Sequence, residues 1–299
     1  MSVKKLLAVL LLCIVLFLLG VFLFYRLTRQ LPPNRQSTAN LPAIGPVSPS
    51  SHPRVAPPAA RGQPTGEAPS KKETPAEAGF VLRPGETLEY NANIPKLNST
   101  VADLKIVAVE KKTTGGKGSW HLEAFAHTEN PYRMVFELDD RFDSYSEAGT
   151  MTGLQYEMHL SERGQKVDSV ERLLSLAGDP PPPGTSAARV LPGTRDPLGM
   201  LEYLRGVDWN RTGEVRGPVY DGRKLYEVRA VLVGKSARVS VPAGKFDATK
   251  IEIHVLDNGA EMKDAHFLLY LSNDSARLPV LMEAVLPVAT ARVELTKAM

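Results

Sequence analysis

The nineteen residues from Leu6 to Phe24, LLAVLLLCIVLFLLGVFLF, carry no charge and a single glycine. As a helix rising about 1.5 Å per residue they reach roughly 28 Å, close to the ~30 Å hydrocarbon core of a bilayer. A water-soluble helix of that length would show a polar stripe, and none is present. A secretory signal has a shorter apolar region, about 7–15 residues, and ends at small residues. Here the run ends in Phe22, Leu23, Phe24, Tyr25 and Arg26, too bulky for such a site. It therefore predicts a single transmembrane helix kept as a signal anchor, in an N-terminal segment 1–30 whose partner is the lipid bilayer. Cys13, the one cysteine, follows Leu12 rather than the small residue that lipid attachment requires, so it reads as a buried apolar thiol. Lys4 and Lys5 before the run nearly balance Arg26, Arg29 and Arg35 after it, so flanking charge does not fix the orientation.

Beyond the anchor the composition changes. Eleven of the forty-eight residues from 31 to 78 are proline, and large apolar side chains are almost absent. Such a segment buries too little to offset chain entropy, so residues 31–78 are expected to be a disordered linker with polyproline II character. Residues 1–78 carry a net charge of +6 in a chain of net +3, which leaves 79–299 at −3. The basic character belongs to the tether, and nucleic acid is not an expected partner of the folded part.

Residues 79–299 read as one antiparallel β domain. Leu88, Tyr90, Ala92 and Ile94 alternate after Pro84-Gly85. Val101–Val109 and Trp120–Ala126 flank a glycine-rich turn as a hairpin. Leu154–Leu160 and Val167–Leu176 form a second pair around Arg163-Gly164, before a rigid proline run at 179–184. One short helix is expected, with Asp196 as N-cap, Pro197 at its first position, Leu198, Leu201 and Leu204 on one face, and Gly206 at its end. A meander follows: Val215–Tyr220, Leu225–Val233, Ala237–Val241, Phe246–Leu256, His266–Leu271, Leu278–Leu286 and Ala289–Leu295. Its turns are Asp221-Gly222, Gly234-Lys235, Pro242-Ala243-Gly244 and Asn258-Gly259. The expected fold class is mainly β, a curled antiparallel sheet or half-barrel with one short helix.

Several stretches, in order, resemble a known family. They are Phe80-x-Leu82-x-Pro84-Gly85-Glu86-x-Leu88-x-Tyr90, Asp196-Pro197-Leu198 with Tyr203-Leu204-Arg205, and Val241-Pro242-Ala243-Gly244-Lys245-Phe246. Leu271-Ser272-x-Asp274 with Arg277-x-Pro279-Val280, and a closing Val293-Glu294-Leu295, complete the set. The chain resembles the bacterial envelope family known as domain of unknown function number thirty-one-oh-eight. The resemblance implies a periplasmic, mostly antiparallel β domain without an assigned activity, distantly similar to curved half-barrels that carry lipoproteins or lipids between membranes. It places the C-terminal domain on the periplasmic side of the inner membrane. Members often have a cleavable signal peptide, and this chain departs from them in its long anchor and proline-rich linker.

No catalytic or cofactor-binding pattern stands out. The six histidines lack metal-binding spacing, although His121 and His127 share one face of a strand and Glu252 and His254 do likewise. They are expected to be solvated or packed. Asp139, Asp140 and Asp143 lack the glycine and distal glutamate of a calcium loop and read as a solvated turn. Gly234-Lys235-Ser236 lacks the first glycine of a phosphate loop, and no Gly-x-Ser-x-Gly is present. Four residues are candidate contacts to a ligand or partner. Asp274 and Arg277 flank a tight turn and could meet an anionic group at its rim, or simply stabilise that turn. Glu86 and Arg205 have the same two readings, a site or a packing pair. The expected function is that of a membrane-anchored, envelope-facing β domain, not an enzyme, binding an apolar ligand, a lipid or a segment of an envelope protein. The alternatives are an envelope enzyme acting on wall or glycan through carboxylates, and a structural component that adds a strand at a sheet edge.

Overall fold

The structure is a computed structural model that describes residues 82–114, 116–176, 186–262, 266–285 and 290–299. The expected anchor (1–30), linker (31–78) and proline run (179–184) lie outside the described residues. Among the described residues, no helix is long and apolar enough to cross a membrane.

The strands, in chain order, are β1 (Thr87–Ile94), β2 (Ser99–Thr114), β3 (Lys117–Thr128), β4 (Asp139–Glu147), β5 (Gly153–Glu162), β6 (Gln165–Ser175) and β7 (Ala187–Val190). After helix α1 (Pro197–Gly206) come β8 (Glu214–Tyr220), β9 (Leu225–Val241), β10 (Gly244–Asp257), β11 (Ala260–Glu261), β12 (His266–Ser272), β13 (Pro279–Val285) and β14 (Thr290–Ala298). They form one sheet in the order β7-β6-β5-β4-β3-β2-β1-β14-β13-β12-β10-β9-β8, with β11 on β10. Neighbours in sequence pair, because short turns favour antiparallel neighbours. The first and last strands meet in the middle, Ala92 opposite Val293. Among the described residues every strand pairs antiparallel except β6 with β7, and Arg195 makes a single parallel bridge to Val219 of β8.

This order leaves β7 and β8 as the two free ends of the sheet, and the chain between them closes the gap. The Gly153 N–H of β5 donates to the Thr194 carbonyl at 2.9 Å, while Arg195 N–H donates to Pro218 and Tyr220 N–H to Arg195 at 3.0 and 2.9 Å. The Tyr220 hydroxyl reaches Glu171 across the same seam. The sheet is thus a nearly closed barrel. The expected class, a mainly β, curled antiparallel sheet or half-barrel with one short helix, holds in its coarse form, and the sheet closes further than a half-barrel.

Alternation along the strands sorts side chains to the two faces. Leu88, Tyr90, Ala92, Ile94, Leu122, Ala124, Tyr156, Met158, Leu269 and Leu295 point inward and are buried. All ten residues of α1 are buried too, Glu202 and Arg205 included, so the helix lies inside the barrel. Asp196 starts it as expected: its Oδ1 accepts the Gly199 N–H at 2.9 Å, and its Oδ2 accepts the Ser144 hydroxyl at 2.7 Å.

Two local expectations are corrected. Gly234-Lys235 is not a turn, because β9 runs through it to Val241 and the mismatch with β10 is absorbed as a register shift between Ala248 and Ile251. A bulge preserves the ladder that a turn would break. The acidic stretch Asp139–Asp143 is not a solvated turn but the start of β4, with Asp140 and Asp143 buried. Ser161 N–H of β5 donates to Asp140 at 2.8 Å, while one oxygen of Asp143 meets His121 across the sheet and Arg141 on its own strand, both at 2.8 Å.

Candidate functional site

The four residues singled out from the sequence converge at the C-terminal end of α1. Arg205 is 1% exposed. Its Nη1 donates to Glu86 Oε1 at 2.7 Å and to Glu202 Oε2 at 2.8 Å, its Nη2 to the Ala276 carbonyl at 3.2 Å and its Nε to the Arg277 carbonyl at 3.3 Å. Burial opposes the Arg205 charge, but Glu202 and Glu86 outweigh it and raise its pKa. Asp274 Oδ1 accepts the Ser272 hydroxyl and the Ala276 N–H, both at 2.9 Å, and the Arg277 N–H at 3.2 Å. That shapes a turn in which Arg277 has a left-handed φ of 45°. The Arg277 guanidinium then turns back onto the helix and donates to the carbonyls of Arg205, Gly206 and Val207 at 3.3, 3.1 and 3.1 Å. Those carbonyls have no partner within the helix, and a cation there also suits the helix dipole. The four residues therefore form one knot that ties α1 to the start of β1 and to the β12–β13 turn. Its outer side borders an open polar cleft of about 450 Å³ edged by Trp209, Asn210, Lys235 and Asn273.

Beneath the helix lies an apolar cavity. Met200, Leu201 and Leu204 of α1 face Val219, Val228, Ile253 and Phe267 across about 60 Å³. On this measure about 10–15 Å³ suffices for one water, so the space matches a few methylenes or the tip of one side chain.

A third cluster lies on the outward face of β3–β6. Glu123, Asp143 and Glu157 stand directly opposite one another on three adjacent strands. Asp143 is buried among them, and its Oδ1 accepts from His121 Nε2 and from Arg141 Nη2, both at 2.8 Å. His121 stacks on Tyr145 with ring centroids 4.5 Å apart. On the other side His159 Nδ1 is 2.8 Å from Asp168 Oδ1, and its Nε2 lies 3.5 Å from Glu157 Oε2 and 3.9 Å from Asp143 Oδ2. The Asp168 hydrogen bond raises the His159 pKa, against a smaller effect of burial. Spacing along the chain does not reveal this cluster, because its members sit on four strands. The only signal is that each occupies an outward position in its own alternation.

Several solved structures are distantly similar to this chain. A β-barrel-like protein of domain of unknown function DUF1849 from Brucella abortus superposes with a TM-score of 0.47 at 13% identity, covering 72% of this chain and 96% of that one. A protein with YmcC-like fold from Bacteroides fragilis gives 0.36 at 11% identity, covering 75% and 100%. The hypothetical protein CT021 of Chlamydia trachomatis gives 0.35 at 7% identity, covering 73% and 87%. No curated protein matches the sequence. The profile of one family, described as a protein of unknown function (DUF3108), matches residues 89–296, and the chain belongs to that family.

Proposed function

We propose that this domain is an envelope-facing binding module, tethered to the inner membrane through Leu6–Phe24, that takes an apolar group of a lipid or of a partner protein against α1. The observation that carries this reading is the apolar cavity between Met200, Leu201 and Leu204 and the inner faces of β8, β9, β10 and β12. At about 60 Å³ it suits the end of an acyl chain or one apolar side chain, not a whole lipid.

The test uses the full chain in lipid nanodiscs with a fatty acid carrying a diazirine at its terminal carbon. Crosslinks are expected in the peptides containing Met200 and Phe267, and Val228→Trp, which fills the cavity, should abolish them at unchanged lipid content. Equal labelling of both proteins, or labelling confined to residues 1–30, would defeat the reading. The same topology puts Met299 in the periplasm, so alkaline phosphatase fused there should be active. Activity restricted to a cytoplasmic reporter would refute that placement.

The enzymatic alternative calls for two carboxyls about 5–10 Å apart in a cleft. Asp143 instead has Glu123 and His121 on one side and Glu157 and His159 on the other, each set within 4.8 Å on an outer sheet face, which suits a shared cation better. Strand addition at a sheet edge meets a seam where β8 already pairs with Arg195.

A further inference from the structure

We infer that Asp143, Glu157 and His159 form a binding site for a divalent first-row transition cation of the zinc type on the outer face of the barrel. The first ground is charge. Glu123, Asp143 and Glu157 occupy directly opposed positions on β3, β4 and β5, an arrangement in which like charges repel. Asp168 adds a fourth carboxylate next to His159. Among the described residues, the only guanidinium joined to the row is Arg141, which bonds Glu123 and Asp143 at 2.9 and 2.8 Å. A divalent cation would offset two of the three negative charges that Arg141 leaves.

The second ground is an orphaned atom. The Asp143 side chain is 2% exposed, and its two oxygens are used unequally. Oδ1 accepts from both His121 and Arg141, which fix the carboxylate plane. Oδ2 is buried without a hydrogen-bond partner. It points toward His159 Nε2 at 3.9 Å, which in turn lies 3.5 Å from Glu157 Oε2. Tetrahedral ligands at about 2.0–2.2 Å from zinc stand roughly 3.3–3.6 Å from one another. His159 Nε2 thus stands close to ligand spacing from both carboxylates, and the three groups offer atoms that all lie within 4.8 Å of one another.

The third ground is orientation. His159 Nδ1 is held by Asp168 at 2.8 Å, leaving Nε2 free to coordinate. A carboxylate behind a ligating imidazole fixes its tautomer and raises its basicity. His159 is about one-third exposed, so the fourth position opens to solvent. His121 serves as a positioning residue for Asp143, since its Nε2 at 2.8 Å makes a hydrogen bond with Oδ1 and is not at ligand spacing.

The test is Zn²⁺ titration of the full chain by calorimetry, with Co²⁺ absorption as a reporter of coordination geometry. Wild type is expected to bind one equivalent with a tetrahedral Co²⁺ spectrum. His159→Asn, at a position about one-third exposed, and Asp143→Asn should each weaken binding by more than about tenfold, and Asp168→Asn by about ten- to a hundredfold. On β10 and β12, Glu252 lies 3.9 Å from His254 and 3.7 Å from His266, which makes His254→Gln the control. It should leave the affinity unchanged. Failure of wild type to bind Zn²⁺ at millimolar concentration, binding unaffected by His159→Asn, or loss of binding in His254→Gln would each overturn the inference.

Discussion

Arg205 shows at the scale of one residue why a charge can sit inside this barrel. A lone buried cation would be strongly destabilising, but this one meets two carboxylates and two backbone carbonyls. Its role is therefore to hold α1 in place, and the expectation that it contacts a ligand gains no support from its 1% exposure. Replacing it by methionine would leave Glu202 and Glu86 facing each other without a counter-charge. Chemical denaturation of Arg205→Met should show a loss of about 3–5 kcal/mol. The double variant Arg205→Met/Glu202→Met should recover part of that loss, because only the less deeply buried Glu86 then lacks its partner. If the double variant is as unstable as the single one, the pair is not what the knot depends on.

At the scale of the element, α1 is defined by its surroundings more than by its propensity. Its sequence, PLGMLEYLRG, contains two glycines and begins with proline. Gly199 in the first turn is not there for its backbone freedom. A Cβ at that position would come within 2.7 Å of Ser146 Oγ and 3.0 Å of the Met151 carbonyl. The helix can cross the barrel next to β4 only because this face is bare. Gly199→Val should cost about 1–3 kcal/mol by overpacking, read as a lower thermal midpoint, although valine is the better helix former. An unchanged midpoint would mean that the helix stands farther from β4. Arg195, just before the cap, adds to this placement by stacking on Tyr203 at 3.6 Å and donating to the Thr150 carbonyl at 2.8 Å.

The whole molecule encloses polar groups that a flat sheet would leave in water. Asp140 points into the barrel, and burial, the dominant cause, pushes its pKa up to about 7. In the unfolded chain an aspartate titrates near about 3.9. The folded state therefore binds the extra proton between these values, and stability falls as pH rises through that window. The contribution is fully present below about pH 4 and is lost above pH 7, by a few kcal/mol in order of magnitude. Asp140→Asn keeps an acceptor for the Ser161 N–H and removes the titration. Its stability relative to wild type should rise by about that amount between pH 4 and pH 8, as measured by urea denaturation. A difference independent of pH would show that Asp140 ionises normally.

Strand after strand was legible because turns such as Arg163-Gly164, Asp221-Gly222 and Asn258-Gly259 punctuate alternating runs, and because Asp196-Pro197 marks a helix start. Leu6–Phe24 and the proline-rich stretch likewise follow from composition alone, as expectations about the anchor and linker. These signals are local: they depend on side-chain spacing within about ten residues and on the backbone preferences of glycine and proline. What joins distant segments was not legible. Closure of the barrel by Thr194 and Arg195, the meeting of Glu86 with Arg205, and the row Glu123–Asp143–Glu157 all depend on which strands lie side by side and in which register. A strand shows which of its residues share a face, while the neighbour's register decides which charges meet. Local chemistry thus set the elements, and only the tertiary structure decided that the helix fills the barrel and that Asp143 keeps one buried oxygen unpaired.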